Sequence, residues 1–402
     1  MSDALFTDLY ELTMMAGYHV AGRSEEPATF DLYFRHLPAG VDLVVACGLE
    51  PVLDYLQRLR FDDRDLAYLR SLDLFRPAFL DYLADLRFTG DVWAVSEGLP
   101  VFGDEPLVRV TAPLAQAQLV ETALLNRICY SSLVASNAAQ LVACARGKPV
   151  LEFGARRAHG PDGAITGARA AMVGGCAATS NVAAGERFDV PVSGTQAHAW
   201  VMAFDSELEA FRAYARAFPD NCLLLVDTYD TLAVGVPNAI TVAQELAADG
   251  HRLAGVRLDS GDLLALAQET RRMLDEAGFH DAKILASGDL DADAVTELEQ
   301  AGAPIDGYGV GTSLLTARRD PALSGVYKLA EIGGQPVLKI SGNPRKTTSP
   351  GRKQVWRQDS GDVIGLADED LQGEPLLVEA MRAGRRLLAT VPVAELRTRC
   401  RQ

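Results

Sequence analysis

The chain has 402 residues, enough to bury a large core and to form two or three domains. Its formal net charge of −16 disfavours nucleic acid and anionic membrane as partners, while small anionic substrates stay open if cations are gathered locally. No apolar run is long enough to span a membrane, and the N-terminus lacks the basic-then-apolar pattern of a secretory signal. Cys47, Cys129, Cys144, Cys176, Cys222 and Cys400 are scattered without a CxxC pair, which argues against a zinc ribbon and a disulfide framework and predicts a reducing, cytoplasmic setting.

In chain order, apolar spacing predicts a helix over 4–20 and alternation predicts a strand over 29–34. Helical patterns fill 48–85, and short strands follow at 91–95 and 107–110. A long helix is expected from 116 to 146, ended by Gly147 as C-cap. Apolar strand-like runs then recur at 150–153, 171–178, 190–192, 223–226, 253–256, 283–286 and 305–310, most followed by helical segments. Strand–helix alternation at this spacing predicts a parallel sheet closed as an irregular α/β barrel. Short strands return at 325–329 and 336–340, and 341–352 reads as a polar loop. The expected division is an N-terminal α/β domain over 1–112, completed by 325–402, and a barrel over 113–324.

In such barrels the C-terminal strand ends form the active face. Here those ends carry Phe153-Gly154-Ala155-Arg156-Arg157, Thr179-Ser180-Asn181, Gly194-Thr195 with His198, Asp227-Thr228-Tyr229-Asp230, Arg257 with Asp259-Ser260-Gly261-Asp262, Ser287-Gly288-Asp289, and Gly309-Val310-Gly311-Thr312. Together they suit a charged, hydroxylated ligand. Each also has a plainer reading. The Gly309 turn is either a tight strand-to-helix connection or a phosphate cradle. Asp259 to Asp262 reads as a helix N-cap or as site. His198 alone reads as a satisfied core histidine, Phe153 as core, and Arg156 as part of a solvated loop. Arg257, just past an apolar run, needs an anionic partner, which is Asp227 or a ligand. No histidine pair has zinc-ligand spacing, and no GxGxxG occurs as a strand–helix turn.

These blocks, taken with Thr7-Asp8-Leu9-Tyr10 and the downstream Tyr18 near the N-terminus, the 30–38 stretch ending Arg35-His36-Leu37-Pro38, and Gly194-Thr195-Gln196-Ala197-His198, resemble the nicotinate phosphoribosyltransferase family in order along nearly the whole chain. The resemblance implies a type II phosphoribosyltransferase fold, an irregular barrel plus an α/β domain built from both chain ends. It implies a homodimer with shared active sites. The implied reaction joins nicotinate to phosphoribosyl pyrophosphate, giving nicotinate mononucleotide and pyrophosphate for NAD salvage. ATP is the co-substrate, and Mg2+ travels with the phosphates.

By the same resemblance, Tyr18 of the partner subunit and Phe153 would stack on the pyridine ring. Thr195 and Arg257 would line the nicotinate pocket, with Arg156 at the base or its carboxylate. Ser180 and Asn181 sit where related enzymes tell acid from amide. Thr312, with the Gly288 and Gly309–Gly311 turns, would hold the ribose phosphate, and Asp289 is a further substrate-binding residue. Asp227 and Asp259 would position ribose, histidine or magnesium, and His198 would accept a phosphoryl group. The loop around Asn343 and Pro344 departs from the family by lacking an acidic residue before the proline, although Lys346 is kept. The rival readings are a nicotinamide phosphoribosyltransferase, for which an aspartate is expected near Ser180-Asn181, a quinolinate phosphoribosyltransferase, which would want more cations, and a catalytically silent barrel.

Overall fold

The structure is a computed structural model that describes residues 3–340 and 349–402. Lys346, Asn343 and Pro344 lie outside the described residues. The chain divides into two compact units, one running to Ser136 and resuming over 320–400, the other holding 137–319. The sequence reading draws these divisions at 112/113 and 324/325. The first half of helix Glu121–Cys144 belongs with the first unit: Ser132 and Ser136 accept hydrogen bonds from the backbone N–H groups of Cys47 (3.0 Å) and Val45 (2.9 Å).

The first unit is built on a seven-stranded antiparallel sheet that interleaves both chain ends. Its order is Gln335–Pro336, Gly325–Ile332, Pro27–Phe34, Val108–Pro113, Asp91–Val95, Leu377–Arg382 and Arg385–Arg386. Alternation in Pro27–Phe34 sends Phe30, Leu32 and Phe34 into the core, where Phe30 stacks on Tyr327 with ring centroids 4.8 Å apart. A three-stranded sheet, with Lys353–Gln358 at its centre, and a two-stranded one, Val44–Val45 with Pro100–Val101, belong to the same unit. The strand expected over 336–340 shrinks to Gln335–Pro336. Pro336 offers no N–H, and Leu338 and Ile340 are exposed, so no buried face holds the run in a sheet.

The N-terminal helix, Leu9–Val20, is tied down by Glu11. This carboxylate is fully buried and accepts from the N–H and the hydroxyl of Thr122, both at 2.8 Å, and from the N–H of Asp8 at 3.2 Å. Burial nevertheless pushes its pKa up to about 7. Leu9, Tyr10 and Met14 are left exposed on the same helix.

The second unit is a curled parallel sheet of six strands. Its order is Ala178–Thr179, Val150–Glu152, Gly307–Val310, Lys283–Ala286, Leu253–Leu258 and Cys222–Leu225. The first strand thus pairs with the last, which is what curls the sheet towards a barrel. Two runs differ from expectation. Residues up to Val173 of the 171–178 run end helix Gly160–Val173, whose Ala168, Ala170, Ala171 and Met172 are buried; only Ala178–Thr179 is extended. The 190–192 run contributes a single parallel bridge, Val192 to Thr179.

Candidate active site

The strand ends of the second unit converge through hydrogen bonds, and Asp227 is their hub. It follows strand Cys222–Leu225, and its carboxylate is almost wholly buried. One oxygen lies 3.2 Å from His198 Nε2. The other accepts from the Asp259 N–H (2.9 Å) and the Ser260 hydroxyl (2.7 Å). An ionised carboxylate with three donors is satisfied without solvent. His198 opens helix His198–Met202, and its side chain keeps 39% exposure. With Nε2–H donating to Asp227, the ring's remaining lone pair is on Nδ1.

The second carboxylate, Asp259, accepts the Ser287 hydroxyl at 2.5 Å. Close contact between these two strand ends depends on Gly288. Its φ is +93°, and a Cβ there would stand 1.8 Å from the Asp259 carbonyl oxygen. Asp289 continues the turn at φ +47°. Around the sheet, Gly309 lets the Phe153 ring lie on bare backbone, since a Cβ would come within 2.6 Å of it. The Phe153 N–H donates to the Val310 carbonyl at 2.8 Å, and Gly311 passes close to the Phe153 carbonyl. Thr312 opens the short helix Thr312–Leu315 just beyond.

Arg257 lies on strand Leu253–Leu258 with its guanidinium largely buried. Nη1 donates to Thr195 Oγ1 at 2.8 Å and Nη2 to the Gln196 carbonyl at 3.1 Å. Nε is buried without a partner. Burial lowers its pKa, opposed by the charges of Asp259 and Asp227, though a guanidinium stays protonated in any case. Arg156 adds to the local positive potential from the exposed turn Ala155–Arg157. Asn181 accepts from the Ala184 N–H at 3.2 Å through Oδ1, capping helix Val182–Phe188, so its side-chain NH2 is the group left to meet a ligand. Ser180 is fixed by its N–H, which donates to the Glu152 carbonyl at 2.8 Å.

The structure therefore gathers Phe153, Ser180, Asn181, Thr195, His198, Asp227, Arg257, Asp259, Gly288, Asp289, Gly309, Gly311 and Thr312 on one set of strand ends. Tyr18 belongs to helix Leu9–Val20 of the first unit and is half-buried, with its phenol pKa raised by burial. Tyr10 on that helix shows more of its ring. The sequence places Ser260 and Ser287 in strand-end motifs and Gln196 in the Gly194–His198 block, but gives none of them, nor Glu152, a role of its own. Glu152 is fully buried, accepts from the Gly154 N–H and the Thr179 hydroxyl, and is pushed up in pKa by burial. Its one signal is a carboxylate ending the apolar run Val150-Leu151-Glu152. Gln196 is buried with neither side-chain polar atom partnered. Among the described residues no cluster of three or more His, Cys, Asp or Glu could hold a metal ion, and no helix is long and apolar enough to cross a membrane.

The same fold is found in solved pyridine phosphoribosyltransferases. The human nicotinic acid phosphoribosyltransferase structure matches with TM-score 0.88 and 33% identity, over 98% of this chain and 93% of that one. The nicotinate-nucleotide pyrophosphorylase of Pyrococcus furiosus shares the fold, with TM-score 0.81 and 24% identity over 99% of this chain and 94% of that one. Fold and site together define the class as the barrel-type phosphoribosyltransferases. The models of the nicotinate phosphoribosyltransferase (NAPRTase) N-terminal domain and of the NAPRTase family match residues 5–129 and 149–371. Curated nicotinate phosphoribosyltransferases of Mycobacterium tuberculosis (48% identity, 98% of this chain, 84% of that protein) and Bacillus subtilis (49%, 93% and 78%) align along the same length. The chain belongs to the nicotinate phosphoribosyltransferase family.

Proposed function

We propose that this chain is a nicotinate phosphoribosyltransferase, joining the nicotinate ring nitrogen to the sugar of phosphoribosyl pyrophosphate with release of pyrophosphate, as an entry to NAD by salvage. The observation that carries the substrate choice is Arg257. It is a partly buried guanidinium steadied by Thr195 and Gln196, and its buried Nε lacks a partner. A cation with a buried, open donor suits a carboxylate. Asn181 agrees, because its acceptor is spent on the helix cap and only a donor remains. A carboxylate accepts from that donor, whereas the NH2 of nicotinamide would need an acceptor.

Breaking the bond between ribose and pyrophosphate builds positive charge on the sugar. Asp227 and Asp259 supply fixed negative charge at adjacent strand ends, held by Ser260, Ser287 and backbone N–H, so little reorganisation accompanies the step. Phe153 on the Gly309 backbone offers a face for the pyridine ring. His198 is the phosphoryl acceptor from ATP: Asp227 holds Nε2–H, and Nδ1 attacks the γ-phosphorus while ADP leaves. Release of that phosphate to water regenerates the histidine. Magnesium would enter with the substrate phosphates, and Asp227 and Asp259 are the carboxylates that would help to hold it. It would shield phosphate charge when bound.

The working form is a homodimer in which helix Leu9–Val20 of one subunit covers the ring bound by the other. The exposed Leu9, Tyr10 and Met14 support this, since an apolar helix face is stable in water only when something covers it. Tyr18 is the aromatic proposed from the sequence, and Tyr10 is the second candidate that its exposure brings forward.

The test offers purified protein nicotinate, nicotinamide or quinolinate, each with phosphoribosyl pyrophosphate and magnesium, and separates the products. Nicotinate mononucleotide from nicotinate alone supports the assignment. Nicotinamide mononucleotide, or nicotinate mononucleotide with CO2 from quinolinate, would replace it with one of the rival activities.

A further inference from the structure

The first unit contains a cavity of about 570 Å³ between the seven-stranded sheet and the strand Lys353–Gln358. Trp93, Arg109, Glu331, Arg352, Gln354 and Asp368 line it. Register explains why these groups meet. Arg109 pairs across strands with Asp31 on one side and Trp93 on the other, and Glu331 pairs with Thr29, two residues from Asp31 on the same face. A size of this order suits a small organic ligand.

Arg109 is only 4% exposed, and its guanidinium sits 5.1 Å from the centre of the Trp93 ring. Nη1 donates to the Lys353 carbonyl at 2.5 Å, and Nε is buried without a partner. The neighbouring charges cancel in pairs. Lys353 lies 2.7 Å from Asp31, both buried, and Arg352 lies 3.1 Å from Glu331. Asp368 is at the exposed rim. Arg109 faces Asp31 across the strands and feels Glu331 as well, so three cations, Arg109, Lys353 and Arg352, share two carboxylates away from the rim, and one positive charge is left over in the group, which is costly when buried.

We propose that this cavity is a second ligand site, separate from the strand-end site, which takes a small aromatic monocarboxylate. One excess positive charge calls for one negative charge. The Nε–H edge of a guanidinium matches a carboxylate oxygen, and the Trp93 ring supplies a flat apolar wall. A phosphate dianion fits less well, because Glu331 and Asp368 stand nearby.

The probe is 4-bromobenzoate, with neutral 4-bromobenzamide and inorganic phosphate as comparisons. Crystals of the full chain soaked in 4-bromobenzoate should show bromine anomalous density beside Trp93. Calorimetry in solution should show binding that Arg109→Met and Trp93→Leu each weaken at least tenfold, with the amide and phosphate failing to bind there. If Arg109→Met does not fold, Trp93→Leu carries the test, since it leaves the ion pairs untouched. The proposal is overturned by bromine density at the strand ends alone, by no density, by equal binding of the amide, by phosphate taking the cavity instead, or by binding seen only at crystal concentration. It is also overturned if a folded Trp93→Leu or Arg109→Met binds as the unaltered chain does.

Discussion

Arg257→Lys keeps the charge and removes the fork. Lysine cannot donate to Thr195 Oγ1, to the Gln196 carbonyl and to a substrate carboxylate at once from the positions that Nη1, Nη2 and Nε occupy. Each contact made by the charged guanidinium is worth about 1.5–3 kcal/mol, with much of it regained by the ammonium. The expected loss is about 2–4 kcal/mol of transition-state binding, or roughly 30- to 900-fold in kcat/KM for nicotinate. Most of it should fall on KM, because the carboxylate is held before and during the reaction. Thr195→Val, which removes one anchor of the guanidinium, should cost about 1.5 kcal/mol, or roughly tenfold. Steady-state kinetics over a wide nicotinate range, with circular dichroism to confirm folding, reads both. A folded Arg257→Lys enzyme with near-normal KM for nicotinate would refute the carboxylate role.

Other outcomes follow from single contacts. Gly288→Ala should abolish activity while leaving the protein soluble, since a Cβ at φ +93° meets the Asp259 carbonyl and must displace that strand end; wild-type turnover in this variant would remove Asp259 from the site. For Glu11, burial raises the carboxyl from 4.5 to about 7, so between those values the folded state binds a proton that the unfolded state has lost. Stability should therefore fall as pH rises through that window and level off above it, by on the order of 3 kcal/mol in all. Thermal melts of Glu11→Gln should show a smaller drop between about pH 4 and about pH 8, which bracket this window. An unchanged drop would point to another group. Mixed dimers of Tyr18→Ala with His198→Ala, and of Tyr10→Ala with His198→Ala, should regain up to about half of wild-type activity per heterodimer for whichever tyrosine acts across the subunits, as two-fold symmetry requires. Recovery with neither, in heterodimers verified by sizing, would end the shared-site reading.

Much of this was legible in the residues. The runs at 223–226, 253–256 and 283–286 announced strands because each is short, apolar and bounded by turn residues, and the polar groups just beyond them form the hydrogen-bonded hub around Asp227. The 171–178 run misled because a helix buried on its alanine-rich side reads as continuously apolar, as a buried strand does. Glu152 escaped because a carboxylate in an apolar run looks like an interruption. Only the fold brings the Gly154 N–H and the Thr179 hydroxyl to it. The division of Asn181 between cap and donor was invisible for the same reason, since it depends on where Ala184 N–H points. The 336–340 run failed because an apolar, β-prone composition does not supply a neighbour to bury it.

The most direct test of the mechanism is chemical. The purified chain is incubated with ATP and magnesium, digested under alkaline conditions, and the peptide containing His198 is examined by mass spectrometry for an acid-labile phosphate. The geometry predicts one phosphate, on Nδ1, in the unaltered chain and none in His198→Ala, with Asp227→Asn strongly reduced because the ring loses the acceptor that fixes its tautomer. An unmodified His198 peptide alongside ATP-dependent product formation, or ATP coupling that survives in His198→Ala, would contradict it.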